Sequence, residues 1–216
     1  MNIFSIDTIF LYIGNYPLSY IELVGTILYF ASVFLISRKN ILTWPVGIVS
    51  VILYGILFYQ IQLYSDMLEQ SYYLIISIIG WITWNSRKKE NKVIETSWSG
   101  KKGIFLAVLL TTTGTFLLSI FTINFHNWLP VIFPEPASYP ILDALTTVMS
   151  FIAMYLITIR KNEGWLYWII VDIIAIWLYW VKDVRFISIQ YIFLLGMAFY
   201  GLIYWIKKGI PYRPIF

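Results

Sequence analysis

Seven continuously apolar blocks, each about 17–22 residues long, run through the chain and are separated by its few charges. At about 1.5 Å of rise per residue, a helix of that length crosses the hydrocarbon core of a bilayer. The blocks are residues 18–37, 43–63, 66–86, 103–123, 141–159, 164–181 and 186–206. They are unbroken rather than alternating with period two, which excludes a strand barrel. Composition agrees: 60% of residues are hydrophobic and only 12% charged, more apolar side chain than a soluble domain of 216 residues can bury. The chain reads as an all-α integral membrane protein. It has no cysteine, so neither a disulfide framework nor a thiolate metal site is available. Segment 1–17, with Asp7 and the turn Gly14-Asn15-Tyr16-Pro17, is too short to span and reads as an interfacial helix.

The basic residues orient the spans. Arg38 and Lys39, then Arg87, Lys88, Lys89, Lys92, Lys101 and Lys102, then Arg160 and Lys161, and finally Lys207, Lys208 and Arg213 all fall on one side. That leaves only Lys182 and Arg185 on the other, and the positive-inside rule places the N-terminus outside and the C-terminus in the cytoplasm. The same bias accounts for the net charge of +4, so no nucleic-acid partner is expected.

An internal repeat gives the domain plan. Arg38-Lys39-Asn40 recurs as Arg160-Lys161-Asn162, and Gly80-Trp81-Ile82-Thr83-Trp84 recurs loosely as Gly201-Leu202-Ile203-Tyr204-Trp205. The first motif and the last tryptophan lie 46 positions apart in one copy and 45 in the other. The plan is a three-helix repeat at 18–86, a connecting region at 87–140 with a linking helix at 103–123, a second three-helix repeat at 141–206, and a tail at 207–216. An odd number of spans per repeat requires the linking helix if both copies are to run parallel. This 3+1+3 plan is that of transporters such as the SWEET proteins, which bind substrate near the midplane where the repeats meet and alternate access by rocking.

An ionisable residue at mid-membrane costs about 2.5–3.5 kcal/mol on insertion scales, so each is a candidate site. Glu22 after Ser19, Asp66 with Glu69, and Asp143 sit at helix starts, where an acid caps the first turn. Asp172 lies halfway along the sixth block, with Trp165, Trp168 and Tyr179 at i−7, i−4 and i+7 on its helical stripe. A carboxylate among aromatic faces suits an organic cation, each desolvated cation–π contact contributing about 2 kcal/mol. Aligning the repeats on Arg-Lys-Asn sets Ser50 opposite Asp172. Gln70, Ser77 and Trp81 in the third block and Gln190 in the seventh complete the candidate set. For Gln70 a bridge between helices and a contact to ligand are both open. His126, in the outer segment 124–128, has neither a second histidine nor a cysteine beside it, so no metal or other cofactor is expected. A lipid-modifying membrane enzyme would need a paired base or metal cluster near one interface, which the sequence lacks. The chain therefore reads as a carrier rather than an enzyme.

Tyr20-Ile21-Glu22-Leu23-Val24-Gly25-Thr26, Phe58-Tyr59-Gln60-Ile61-Gln62-Leu63-Tyr64, Gly80-Trp81-Ile82-Thr83-Trp84 and Trp165-Leu166-Tyr167-Trp168-Ile169-Ile170-Val171-Asp172 stand in this order. Together they resemble the nicotinamide riboside transporter (PnuC) family, the last run fitting its W-x-x-W-x-x-x-[N/D] pattern. The resemblance implies a SWEET-like, usually homotrimeric, multi-pass protein of the bacterial inner membrane. It implies uniport of a vitamin precursor, nicotinamide riboside first, which a cytoplasmic kinase then phosphorylates and traps for NAD biosynthesis. Relatives in that family carry thiamine or riboflavin. At Ser50, Ser77, Asp172 and Tyr200 the chain departs from the asparagine that nicotinamide riboside carriers often have. The implied roles are Trp168 stacking on the ring, Asp172 balancing its charge or binding a hydroxyl, and Gln70 and Gln190 binding polar edges.

Overall fold

Ser19 is extended, with φ −80° and ψ 159°, and its hydroxyl accepts from the Glu22 amide at 3.3 Å. That bond caps helix α1 (Tyr20–Ser37) as the Ser-x-x-Glu spacing predicts. The computed structural model describes residues 3–14, 16–61, 64–89, 95–130, 138–181 and 185–209. Gln62, Leu63, Lys92, Lys182 and Arg213, all used above, lie outside them. After α1 come α2 (Thr43–Gln60), α3 (Tyr64–Lys89), α4 (Lys101–Trp128), α5 (Pro140–Thr158), α6 (Glu163–Val181) and α7 (Arg185–Gly209). Among the described residues, six helices are long and apolar enough to cross a membrane: α1, α2, α4, α5, α6 and α7.

Two expectations are corrected. The segment before α1 is not an interfacial helix but an antiparallel hairpin of β1 (Ile9–Ile13) and β2 (Tyr16–Ser19). Gly14 turns it at φ +62°, and the β-branched and aromatic run Ile9-Phe10-Leu11-Tyr12-Ile13 forms its first strand. Glu22 does not return its side chain to Ser19. Its carboxylate accepts from the Tyr16 hydroxyl at 2.5 Å and so ties hairpin to helix. Burial, reinforced by that bond, holds the Tyr16 phenol above its usual pKa. The second correction concerns α4, which continues to Trp128 and puts His126 in its last turn rather than in a loop.

The chain divides into two compact units, residues 1–95 with 203–216, and residues 96–202. In the first, α1 packs on α2 and α2 on α3. In the second, α4 packs on α5 and α5 on α6, so the linking helix is built into the second unit rather than standing apart.

Each unit contains the same reversal between its paired helices. α1 ends with Lys39 at φ 57°, whose amide donates to Ile36 O at 2.9 Å, while the Asn40 amide donates to Leu35 O at 2.9 Å. α5 ends with Arg160 at φ 63°, whose amide donates to Ile157 O at 2.9 Å, while the Lys161 amide donates to Leu156 O at 2.7 Å. Both are Schellman closures with a left-handed residue that is not glycine, a conformation costing about 1–2 kcal/mol. The geometry pairs Lys39 with Arg160, one residue out of step with the match of Arg-Lys-Asn letters. In this register Ser50 stands opposite Val171, and Val51 opposite Asp172, which corrects the alignment made from sequence.

Five residues past each left-handed residue, a tryptophan of the returning helix seats on a glycine of a third helix, Trp44 of α2 on Gly80 of α3 and Trp165 of α6 on Gly201 of α7. A Cβ at Gly80 would lie 2.3 Å from the Trp44 ring, and one at Gly201 would lie 2.7 Å from the Trp165 ring. Trp84 is fully buried, edge-on to Trp44 at 5.2 Å, and the Trp205 indole donates to Ile36 O at 3.1 Å in the first unit. Filling either seat overpacks a rigid contact, at about 1–3 kcal/mol. Gly80→Ala and Gly201→Ala should each lower the unfolding temperature in detergent by several degrees. Gly196→Ala, where a Cβ meets nothing within 4 Å, should leave it unchanged or raise it.

Candidate functional site

α6 enters the second unit from the Arg160 turn and carries an apolar sequence on all sides, so its polar residues stand out. Gly164 lets its first turn pack against Ile157 and the Ala153 carbonyl, where a Cβ would come within 2.9 Å. The next residue, Trp165, is 2% exposed and fills the seat at Gly201. It is neither a belt residue nor a free aromatic face, but the counterpart of Trp44. Trp168, three residues on, is only half-buried. Asp172 is 3% exposed, and among the described residues its side chain makes no hydrogen bond. A buried carboxyl group without a partner is costly to keep in a scaffold, and the helix places Trp168 directly above it.

Towards the opposite end of the same helix, Tyr179 stacks on Tyr191 of α7, ring centroids 5.5 Å apart and planes 13° apart. Ser188, fully buried, donates to Ile176 O at 2.9 Å and ties the start of α7 to α6. Gln190, beside Tyr191, is half-buried and makes no hydrogen bond among the described residues. Trp165, Trp168, Asp172, Tyr179 and Gln190 thus all belong to the second unit, with Trp168, Tyr179 and Gln190 half-buried and Asp172 buried.

The candidates of the first unit are placed differently. Ser50 is 1% exposed and its hydroxyl donates to Gly25 O at 2.9 Å, joining α2 to α1. Gln70 is half-buried and turns its amide back to Asp66 O at 3.4 Å within α3, while Ser77 on the same helix is buried at 3% exposure. Trp81 is 42% exposed on the outer face of α3, and Trp84 rather than Trp81 enters the core. The unit also holds a hydroxyl pair missed from sequence, Thr26 Oγ1 and Tyr54 OH at 2.8 Å. Two partners from different helices mark it, and neither residue is unusual by itself. Glu163 was missed for a similar reason. An acid in a first turn reads as a cap, yet this one is buried with its Oε1 2.5 Å from the Ser99 amide.

Known proteins supply the wider context. The family model described as nicotinamide mononucleotide transporter matches residues 19–207. The chain is 32% identical to the nicotinamide riboside transporter PnuC of Escherichia coli, over 97% of this chain and 96% of that one. It is 24% identical to the riboflavin/roseoflavin transporter RibM of Streptomyces davaonensis, over 90% of this chain and 88% of that one. The crystal structure of the vitamin B3 transporter PnuC is similar in fold, with a TM-score of 0.68 at 24% identity, covering 88% of this chain and 82% of that one. With a match over both units and a helix arrangement shared with a solved transporter, the chain belongs to the nicotinamide mononucleotide transporter family of multi-pass membrane proteins.

Proposed function

We propose that this protein carries nicotinamide riboside across the bacterial inner membrane by facilitated diffusion, and that the Trp168–Asp172 stripe of α6 recognises it. The observation behind the reading is the buried Asp172 carboxyl group, unpartnered among the described residues and one turn from a half-buried tryptophan, in a chain of this family. Nicotinamide riboside presents a pyridinium ring and ribose hydroxyls. Trp168 stacks on the ring, Asp172 opposes its charge or accepts from a hydroxyl, and Gln190 offers an amide to a polar edge. Each contact is worth more out of water than in it. Thiamine, also an aromatic cation, fits the same chemistry and is the nearest rival. Neutral riboflavin, the substrate in the name of the Streptomyces relative, gains nothing from the carboxylate.

The reading extends to topology. α3 (Tyr64–Lys89) is long enough to cross despite its charges and completes seven spans in a 3+1+3, SWEET-like order. The basic turns at Lys39 and Arg160 face the cytoplasm, and the chain assembles as a homotrimer. Transport is uncoupled, and a cytoplasmic kinase keeps the product inside by adding phosphate.

Proteoliposomes loaded with the purified protein should equilibrate labelled nicotinamide riboside without concentrating it, and a proton gradient should not change the plateau. Asp172→Ala and Trp168→Ala should each weaken half-saturation at least tenfold, since a lost contact of about 1.4 kcal/mol is a factor of ten. Glu22→Ala, a change at the start of α1, should stay within twofold. Equal effects at Asp172 and Glu22 would remove Asp172 from the site. For orientation, a reporter fused after residue 207 should be active only in the cytoplasm and one fused before residue 3 only outside. The reverse pattern would overturn the assignment.

A further inference from the structure

The two units repeat one helical reversal, and in the second unit a neighbouring segment fastens it. Segment 96–100, just ahead of α4, lies along the α5–α6 turn as a short parallel bridge. The Ser97 amide donates to Arg160 O at 3.2 Å, and the Asn162 amide donates to Ser97 O at 3.0 Å. Lys161 Nζ donates to Ser97 Oγ at 2.9 Å. The last link is the Ser99 amide on Glu163 Oε1 at 2.5 Å. Thr96, which opens the segment, is 6% exposed. Among the described residues, the matching α1–α2 turn makes the same internal bonds but carries no such segment.

Glu163 is more than the fastening needs. It is 8% exposed, and its Oε2 is buried without a hydrogen bond among the described residues. It lines a cavity of about 40 Å³ together with Ser99, Leu156 and Tyr167, the last of which meets Thr111 at 3.0 Å. A neutral acceptor would hold the Ser99 amide with less desolvation, whereas a charged one regains hydration whenever the segment lifts. The attachment is therefore strong in geometry and releasable in energy. It acts on the first turn of the helix that carries Trp168 and Asp172, about 14 Å along the axis from Asp172 at 1.5 Å per residue.

We infer that segment 96–100 is a clasp on the α5–α6 turn and that Glu163 is a positioning residue, holding the start of α6 so that the Trp168–Asp172 stripe is presented in its binding geometry. The inference rests on the transport reading given above for its substrate, but the clasp itself can be followed without substrate. The chain has no cysteine, so Thr96→Cys introduces a single, buried thiol within the clasp.

In the full-length protein in detergent, that thiol should react slowly with a polar maleimide, and at least about fivefold faster once Glu163→Ala or Ser99→Pro removes the charge-assisted bond. Glu163→Gln, which keeps an acceptor at Oε1, should react as slowly as the parent. In proteoliposomes without the added cysteine, Glu163→Ala and Ser99→Pro should raise the KM for nicotinamide riboside about fivefold at a near-constant maximal rate. The double variant should be no worse than either single one, and Glu163→Gln should restore the parental KM. A faster label with an unchanged KM would reduce the clasp to a structural tie, and an unchanged label would remove it altogether. Failure of the parent to move nicotinamide riboside would overturn the substrate assignment instead, with the labelling still deciding the clasp.

Discussion

Hydrocarbon offers a peptide group no alternative partner, so a chain that reverses direction at a membrane face must close its own backbone bonds on the way. Here the closure is the Schellman turn at Lys39 and again at Arg160. Its tight radius brings the next helix back within reach of the first, and the rest of each unit follows. In the first unit Thr43 donates to Ser32 O at 2.8 Å, and in the second Gly164 lies against the equivalent carbonyl of Ala153. Next along, Trp44 and Trp165 drop onto Gly80 and Gly201. Each turn strains one non-glycine residue and is followed by one fully packed indole, among the largest side chains its unit buries.

Much of this was legible because membranes impose simple statistics. Apolar block length located the helices, and the sparse lysines and arginines marked their ends. What was lost was lost for physical reasons. Residues 9–19 were short and apolar, which suits an interfacial helix, yet a β-branched and aromatic run reaching Gly14 carries the stronger local preference for a hairpin. The repeat was found but set one residue out, because matching the letters Arg-Lys-Asn ignores which residue adopts the left-handed conformation. Backbone geometry, not residue type, defines that register.

The candidate site divides along the same line. Asp172 stood out in the sequence because a lone carboxyl group at mid-helix has no cheap structural explanation, and the structure buries it. The surroundings of Ser50 and Trp81 were not legible, since a serine inside a membrane protein is as ready to bond a neighbouring carbonyl as a ligand, and helical phase alone decides whether a tryptophan faces core or lipid. Trp165 shows the converse: within a pattern that invites a ligand role, it is spent on packing.

Correcting the register changes what the duplication means. Opposite Glu163, Trp168 and Asp172 the first unit has Leu42, Gly47 and Val51. Gly47 is no empty position, since a Cβ there would meet Ser32 at 3.6 Å, so α2 uses it to approach α1 closely. The reversal, the tryptophan and its glycine are common to both units. Both buried acids of α6 and the half-buried tryptophan between them belong to the second alone. The scaffold is thus repeated while the chemistry is not. Two buried carboxyl groups are costly in hydrocarbon, and placing both on α6 leaves the first unit free of buried acids at these positions.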